Sequence, residues 1–249
     1  MSKENVRLLD CTLRDGGYYN KWEFEPGVVS EYLEAISAAG IDFVELGLRQ
    51  FKNESFRGAH AYSTPEHLNR LNLPAGPTYG VMIDAKTILS EKASQEQCID
   101  QLFLDSRDER ISLVRVAAHF TEVEFCLPML TRLKDKGYIV GLNIMQASLR
   151  EESELEEMSA LIGQWSCIDV VYFADSLGVM ESNDMKKVFR AIRKNWLKDI
   201  GFHAHNNMGK AISNVNVAID LGCTWIDSTI TGMGRGAGNA ETEYVLLEP

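Results

Sequence analysis

The chain has 249 residues, 45% of them hydrophobic and 24% charged, with a formal net charge of −11. That length accommodates one large α/β core, and the balance is that of an ordinary globular protein. An acidic chain is a poor partner for nucleic acid or anionic lipid, since both need clustered cations, and no apolar run is long enough to span a bilayer.

The N-terminal MSKENVRLLD runs straight into a first expected strand, 6–10, with no basic-then-apolar signal segment; this predicts a cytoplasmic protein. Five scattered cysteines, without a CxxC pair, read as buried free thiols of a reducing compartment. Strand one leads into DCTLRDGG, so Arg14 and Asp15 fall just past its C-terminal end, where parallel α/β folds build their sites. Taken alone, this pair is better read as a capping aspartate and a surface arginine beside a Gly-Gly turn. A helix over 28–39 follows, with Pro26 near its start and Gly40 at its stop. The second strand, 43–48, is FVELGL. Glu45 inside that apolar run needs a partner, and Arg14 on the adjacent strand end is the candidate.

Thr64-Pro65 has the order of a helix start, while His60 and His67 read as solvated or locally bonded. Strands are predicted at 78–83, 112–117, 139–144 and 170–174, several as near-continuous apolar runs such as VVYFA. The polar residues at their ends are Asp84, His119, Asn143 and Asp175, each singly more consistent with a supporting role. EVEFCLPMLTRLKDK, 122–136, reads as a helix ending at Gly137, and KAISNVNVAIDL, 210–221, as one ending at Gly222. The seventh strand, 201–205, carries His203 and His205. Residues two apart on a strand share a face, so both imidazoles can reach one ion. With a strand-end aspartate they make a two-histidine, one-carboxylate set suited to Fe(II), Mn, Co, Zn or Mg. The eighth strand, 225–230, runs into TGMGRGAGNAETE. This formally contains GxGxxG/A, but no further strand with an acidic residue follows, so a dinucleotide site is disfavoured. Gly234 and its neighbours are better read as a tight turn or close backbone approach to a ligand. The eighth helix is expected to be short or truncated, and residues 1–249 read as one domain. Eight strands alternating with helices fit a closed barrel or a doubly wound sheet, and periodicity alone leaves both open.

With TLRDG, HAHNN and GMGRGAGN in this order, the chain resembles the DRE-TIM metallolyases, the 3-hydroxy-3-methylglutaryl-CoA lyase-like superfamily, over nearly its whole length. The GAGNAETE ending looks most like the 4-hydroxy-2-oxovalerate aldolase branch. The resemblance implies a (β/α)8 TIM barrel and a divalent-metal-dependent lyase that makes or breaks a C–C bond next to a 2-oxo acid. Asp15, His203 and His205 match the ligands of the metal, which would be Mn2+ or Mg2+, with Co2+ or Zn2+ compatible. Arg14 matches the catalytic arginine, Glu45 the glutamate of strand two, and Asn239 an asparagine near the metal. The aldolases carry an acid/base histidine where this chain has Tyr18. Tyrosine can exchange a proton, though its reference pKa is near 10; a metal-bound water and His119 are the other candidate bases. Asn143, Asp175 and Gly234 complete the expected surroundings of metal and substrate. The partner implied is a small 2-oxo acid, with a homo-oligomer left open. The aldolases' C-terminal helical region, which contacts an aldehyde dehydrogenase, lies past the last residue here, so that partner does not carry over. The alternatives are a Claisen-type acyl-CoA:2-oxo acid condensing enzyme and a noncatalytic barrel that binds a metal-chelated oxo acid.

Overall fold

Short apolar runs pair in chain order in the computed structural model, which describes residues 6–52 and 55–247. The strands are β1 (Arg7–Asp10), β2 (Phe43–Leu48), β3 (Thr78–Asp84), β4 (Leu113–His119), β5 (Ile139–Met145), β6 (Val170–Asp175), β7 (Asp199–Ala204) and β8 (Trp225–Ser228). All pair in parallel, and β8 closes on β1 through Arg7↔Trp225 to Asp10↔Ser228, giving a barrel in the order β1 to β8. This is the (β/α)8 architecture, and the doubly wound alternative is excluded. Every predicted strand is present, with ends displaced by at most two residues.

The helices follow local signals. Pro26–Ala38 begins where the Glu25 carboxylate accepts from the Val28 N–H, with Pro26 fixing the first turn. Pro65–Leu68 is capped by Thr64, as its sequence predicts. Gly137 (φ 88°) and Gly222 (φ 105°) take the left-handed conformation that turns a chain out of a helix. The expected helix over 122–136 is broken in two, a 3₁₀ stretch Phe120–Phe125 and an α-helix Leu127–Asp135. Pro128 is the cause: it has no N–H to donate and its ring clashes with the preceding turn, so it is accommodated only at a helix start. The helix after β8, Thr242–Leu247, spans six residues. Among the described residues no helix is long and apolar enough to cross a membrane, and all five cysteines are buried free thiols.

The outward faces of the strands pack beneath the helices in one continuous apolar cluster. Inside the barrel a smaller layer of Leu9, Phe43, Leu113, Val170, Tyr172 and Trp225 fills the N-terminal half. Above it the interior turns ionic, because glycines make room for long side chains. A Cβ on Gly141 would lie 2.9 Å from Arg115 Cγ, and one on Gly201 would lie 2.4 Å from the Tyr172 ring. Arg115 is fully buried, its guanidinium stacked 4.7 Å from the Tyr172 centroid.

Candidate active site

Inward alternation and strand ends bring six buried groups into one closed ring of contacts. Arg14 Nη1 donates to Asp15 Oδ1 and Arg14 Nε to Glu45 Oε2. Glu45 in turn accepts from Arg115 Nε and Nη2, both at 2.8 Å. Arg115 Nη1 donates to both oxygens of Asp227, at 3.0 and 2.7 Å. Asp227 Oδ2 lies 2.9 Å from His203 Nδ1, and His203 Nε2 lies 3.2 Å from Asp15 Oδ2. The expected Arg14–Glu45 pair is therefore one link of a longer circuit. Arg14 and Asp15 sit on a helical turn, Thr12–Asp15, placed directly over the end of β1. Gly16 and Gly17 continue it into a second helical turn, Gly17–Asn20. Gly17 is required there, since its Cβ would lie 2.0 Å from the Trp22 indole. That indole donates to the Arg14 carbonyl at 2.8 Å and so anchors the turn.

Charge is unequal around the ring: three carboxylates face two guanidiniums, leaving one negative charge while His203 is neutral. Burial alone would raise Asp15, but Arg14 and the His203 contact hold it well below the usual carboxylate range. Burial lowers His203, yet its hydrogen bonds to Asp15 and Asp227 outweigh this and its pKa stands raised. His205, one step beyond β7, is pushed down to about 4, first by burial and then by the His203 charge. Its ring meets that of His203 edge-on at 5.0 Å, so the HxH pair shares one face as the strand period requires.

These residues form the floor of a cavity of about 490 Å³ at the C-terminal end of the barrel, lined there by Arg14, Asp15, His203, His205 and Asn143. Two of Arg14's three guanidinium nitrogens are engaged. Among the described residues Nη2 has no hydrogen-bond partner, and it is the edge left for a ligand. The Asn143 side chain is buried in this wall with Oδ1 unpartnered. Asn239 donates through Nδ2 to Asp15 Oδ2 at 2.6 Å, while its own Oδ1 is also buried and unpartnered. Gly234 packs on Asn239: a Cβ there would lie 2.7 Å from that amide.

Asp15, His203 and His205 are the residues that could hold a divalent cation, and three observations bear on it, although their ligand atoms are not gathered as closely as those of Cys11, His203 and Asp227. With His203 neutral, the form that can ligate an ion, the ring carries one surplus negative charge. Asp227 holds His203 Nδ1, the outer-shell arrangement that presents Nε2 to an ion. Asn239 Oδ1 is an orphaned buried acceptor beside Asp15, and such atoms call for a partner. Cys11, His203 and Asp227 also place one ligand atom each within 4.8 Å of one another. That set suits an ion less well, because both Asp227 oxygens are already committed to Arg115 and burial keeps the Cys11 thiol protonated.

Glu45 does not reach the cavity; it lies beneath Arg14, fully buried. Tyr18 does line the wall, half exposed, its ring edge-on to Trp22 at 4.8 Å. Two expected members fall outside. His119 does not line the cavity; it precedes the 3₁₀ turn, where its backbone N–H donates to Glu122 at 2.9 Å. Asp175 lies on the opposite face of β6 from the inward Tyr172 and Ala174. Its carboxylate accepts from the Val179 and Met180 N–H groups, both at 3.1 Å, and so shapes a loop. His60, expected to be solvated or locally bonded, is buried, with Nδ1 2.7 Å from the Leu46 carbonyl oxygen. Asp227, Arg115 and Arg235 were not singled out from the sequence. Asp227 and Arg115 carry the same signal as Glu45, an isolated charge in an apolar strand; Arg235, exposed on a glycine-rich turn, carries none.

The chain is similar to known proteins in sequence and in fold. Residues 103–248 match the HMGL-like family. The 4-hydroxy-2-oxovalerate aldolase of Carboxydothermus hydrogenoformans is 29% identical over 98% of this chain and 70% of its own length. The 4-hydroxy-2-oxovalerate aldolase 2 of Rhodococcus jostii is 31% identical, over 98% and 69%. Among solved structures, the N-terminal domain of a protein described as an aldolase, from Bacteroides vulgatus, superposes with a TM-score of 0.88 at 30% identity, covering 97% of this chain and 78% of that one. The hydroxymethylglutaryl-CoA lyase of Pseudomonas aeruginosa shares the fold, with a TM-score of 0.75 at 19% identity over 97% and 84%. With its family match, its barrel and its strand-end charges in accord, this chain belongs to the HMGL-like family.

Proposed function

We propose that the protein is a divalent-metal-dependent aldolase that cleaves or forms 4-hydroxy-2-oxo acids through the enolate of pyruvate. The observation that carries this reading is the unpartnered edge of Arg14, held beside Asp15, His203 and His205 on the floor of the cavity. The similarity to 4-hydroxy-2-oxovalerate aldolases over 98% of the chain supports it. Asp15, His203 and His205 would hold the ion, with Asn239 beside it, and Mn2+ or Mg2+ is the metal we expect. When bound, such an ion acts as a Lewis acid on the keto oxygen of the substrate.

The residues of the chain supply the rest. In the cleavage direction the 4-hydroxyl proton passes to a base, the C3–C4 bond breaks, and its electron pair moves to the C2 oxygen. The products are an aldehyde and the enolate of pyruvate, which takes a proton at C3. Arg14 donates from Nη2 to the C2 oxygen as charge gathers on it. Glu45 and Asp15 fix the guanidinium beforehand, so no reorganisation is needed during the reaction. The Asn143 amide, with its buried Oδ1 unpartnered, would orient the substrate from the β5 side. Tyr18 is the candidate for the proton at the hydroxyl, because its ring lines the cavity wall and His119 does not.

The test is a metal-supplemented screen of 4-hydroxy-2-oxo acids, and of pyruvate with aldehydes, read by pyruvate change. We expect turnover that a chelator abolishes and Mn2+ or Mg2+ restores. Stoichiometric metal binding with no turnover of any oxo acid would make this a noncatalytic binding barrel.

A further inference from the structure

The mouth of the cavity carries charge that the floor does not use. Lys52 and Arg57 line it from the segment after β2, and Arg235 lines it from the turn after β8. In the closed order β8, β1, β2 are neighbours, so the three cations flank the turn bearing Tyr18 and Trp22. None of the three makes an ion pair among the described residues. Arg57 instead lies 5.3 Å over the Trp22 ring, a contact that positions the guanidinium and leaves its hydrogens for a ligand. Arg49 shows the contrast. It lines the same cavity, but Glu109 at 2.7 Å and the Ser63 carbonyl oxygen at 2.6 Å take its guanidinium. The acidic residues of the wall, Asp84 and Glu91, come from the β3 side, and Asp84 is turned to the Lys86 N–H at 2.9 Å. Three cations on one arc, without an ion pair among the described residues, run against the overall charge of −11.

A pyruvyl group brings one carboxylate, and Arg14 and Asn143, proposed above to engage the pyruvyl half, lie at the floor. A cavity of about 490 Å³ is in the range of sites that take ligands larger than a small oxo acid. We infer that the aldehyde half of the substrate carries its own anionic group, a carboxylate or a phosphate, which Arg235, Arg57 and Lys52 bind at the mouth. This rests on the aldolase reading above and adds the substrate class. The anion sits in the wall over β8, β1 and β2, so the aldehyde carbon that it trails lies inward, beside Tyr18. Exposed cations steer and select more than they hold, and their effect weakens with salt.

The test compares pyruvate additions to paired aldehydes: succinic semialdehyde against butanal, and glyceraldehyde 3-phosphate against glyceraldehyde. Alongside, exchange of pyruvate methyl protons with deuterated solvent is followed without any aldehyde. Exchange reports enolate formation alone, and therefore tests the aldolase reading separately. We expect kcat/KM to favour an anionic aldehyde over its neutral partner, the carboxylate and phosphate arms identifying which anion. In Arg235→Gln and in Arg57→Gln this preference should fall roughly tenfold, as for loss of one charged hydrogen bond. It should also fall in the wild type as ionic strength rises. Proton exchange with equal turnover of neutral and anionic aldehydes overturns the inference and leaves the aldolase reading standing. An Arg235→Gln variant that raises KM for pyruvate while the preference persists would assign Arg235 to the pyruvyl carboxylate, which also overturns it. Neither exchange nor addition with any pair removes both readings together.

Discussion

Replacing Arg14 with alanine separates chemistry from metal binding, since a guanidinium has donors and no acceptor and so cannot ligate a cation. The substitution removes the Nη2 edge facing the cavity and two charged hydrogen bonds, to Glu45 and Asp15. Loss of a preorganised oxyanion donor typically costs about 10²–10³ in turnover, or roughly 2.7–4 kcal/mol. The stability cost is bounded by what remains. Glu45 keeps both of its contacts to Arg115, at 2.8 Å each, and Asp15 keeps those to Asn239 and His203. Neither carboxylate is stranded, so the loss should fall at or below about 3 kcal/mol, the lower end for breaking a buried pair. Steady-state release of pyruvate, metal content by elemental analysis and urea unfolding on one preparation measure all three quantities. A folded, metal-loaded Arg14→Ala protein with kcat near that of the wild type would refute the role assigned to its free edge.

Asp227→Asn keeps the size of the side chain but removes the charge that orients His203. By the usual cost of losing an outer-shell partner, metal affinity should fall about 10–100-fold, and titration of the apoprotein with Mn2+ reads it; unchanged affinity would detach Asp227 from the metal centre. In Gly234→Ala the new methyl would lie 2.7 Å from the Asn239 amide, so activity and metal affinity should fall together while the melting temperature changes little. Equal activity would show that Asn239 can give way. Tyr18→Phe keeps the ring packed on Trp22 and removes only the hydroxyl. A drop of about 10²-fold or more in kcat with metal retained supports proton transfer, whereas wild-type rates would pass that step to bound water.

The strands were legible because each is a buried apolar run bounded by glycine or a polar turn, and the barrel was legible from their number and the motif order. Asp15, His203 and His205 could be placed together in advance because two rules sufficed, the strand period and the clustering of sites at strand ends. His119 and Asp175 obeyed the second rule and still fell outside. The Asp175 carboxylate could be satisfied by a nearby turn, and which face a strand-end residue takes depends on where pairing stops. Arg115 and Asp227 reveal the opposite gap. An arginine within LVRVAA and an aspartate within WIDS state that each has a buried partner, but not which one. Gly141 leaves the room that Arg115 occupies, and Gly201 the room for the Tyr172 ring on which Arg115 stacks. The break at Pro128 was readable from the sequence, since proline inside a helical pattern marks a start or a kink.

The groups proposed to hold the ion come from distant parts of the chain. Asp15 and Asn239 are 224 positions apart and touch only because β8 closes on β1. The site is therefore a clasp across the seam where the barrel shuts. A growing polypeptide has no such centre until strands seven and eight have been made, which spares the unfinished chain from trapping metal in native form. Once the seam is shut, an ion at a hundredfold excess over its dissociation constant would add about 2.7 kcal/mol to the closed state. With the ion held as proposed, loosening that joint would also part Asp15 from Asn239 and so take the site apart.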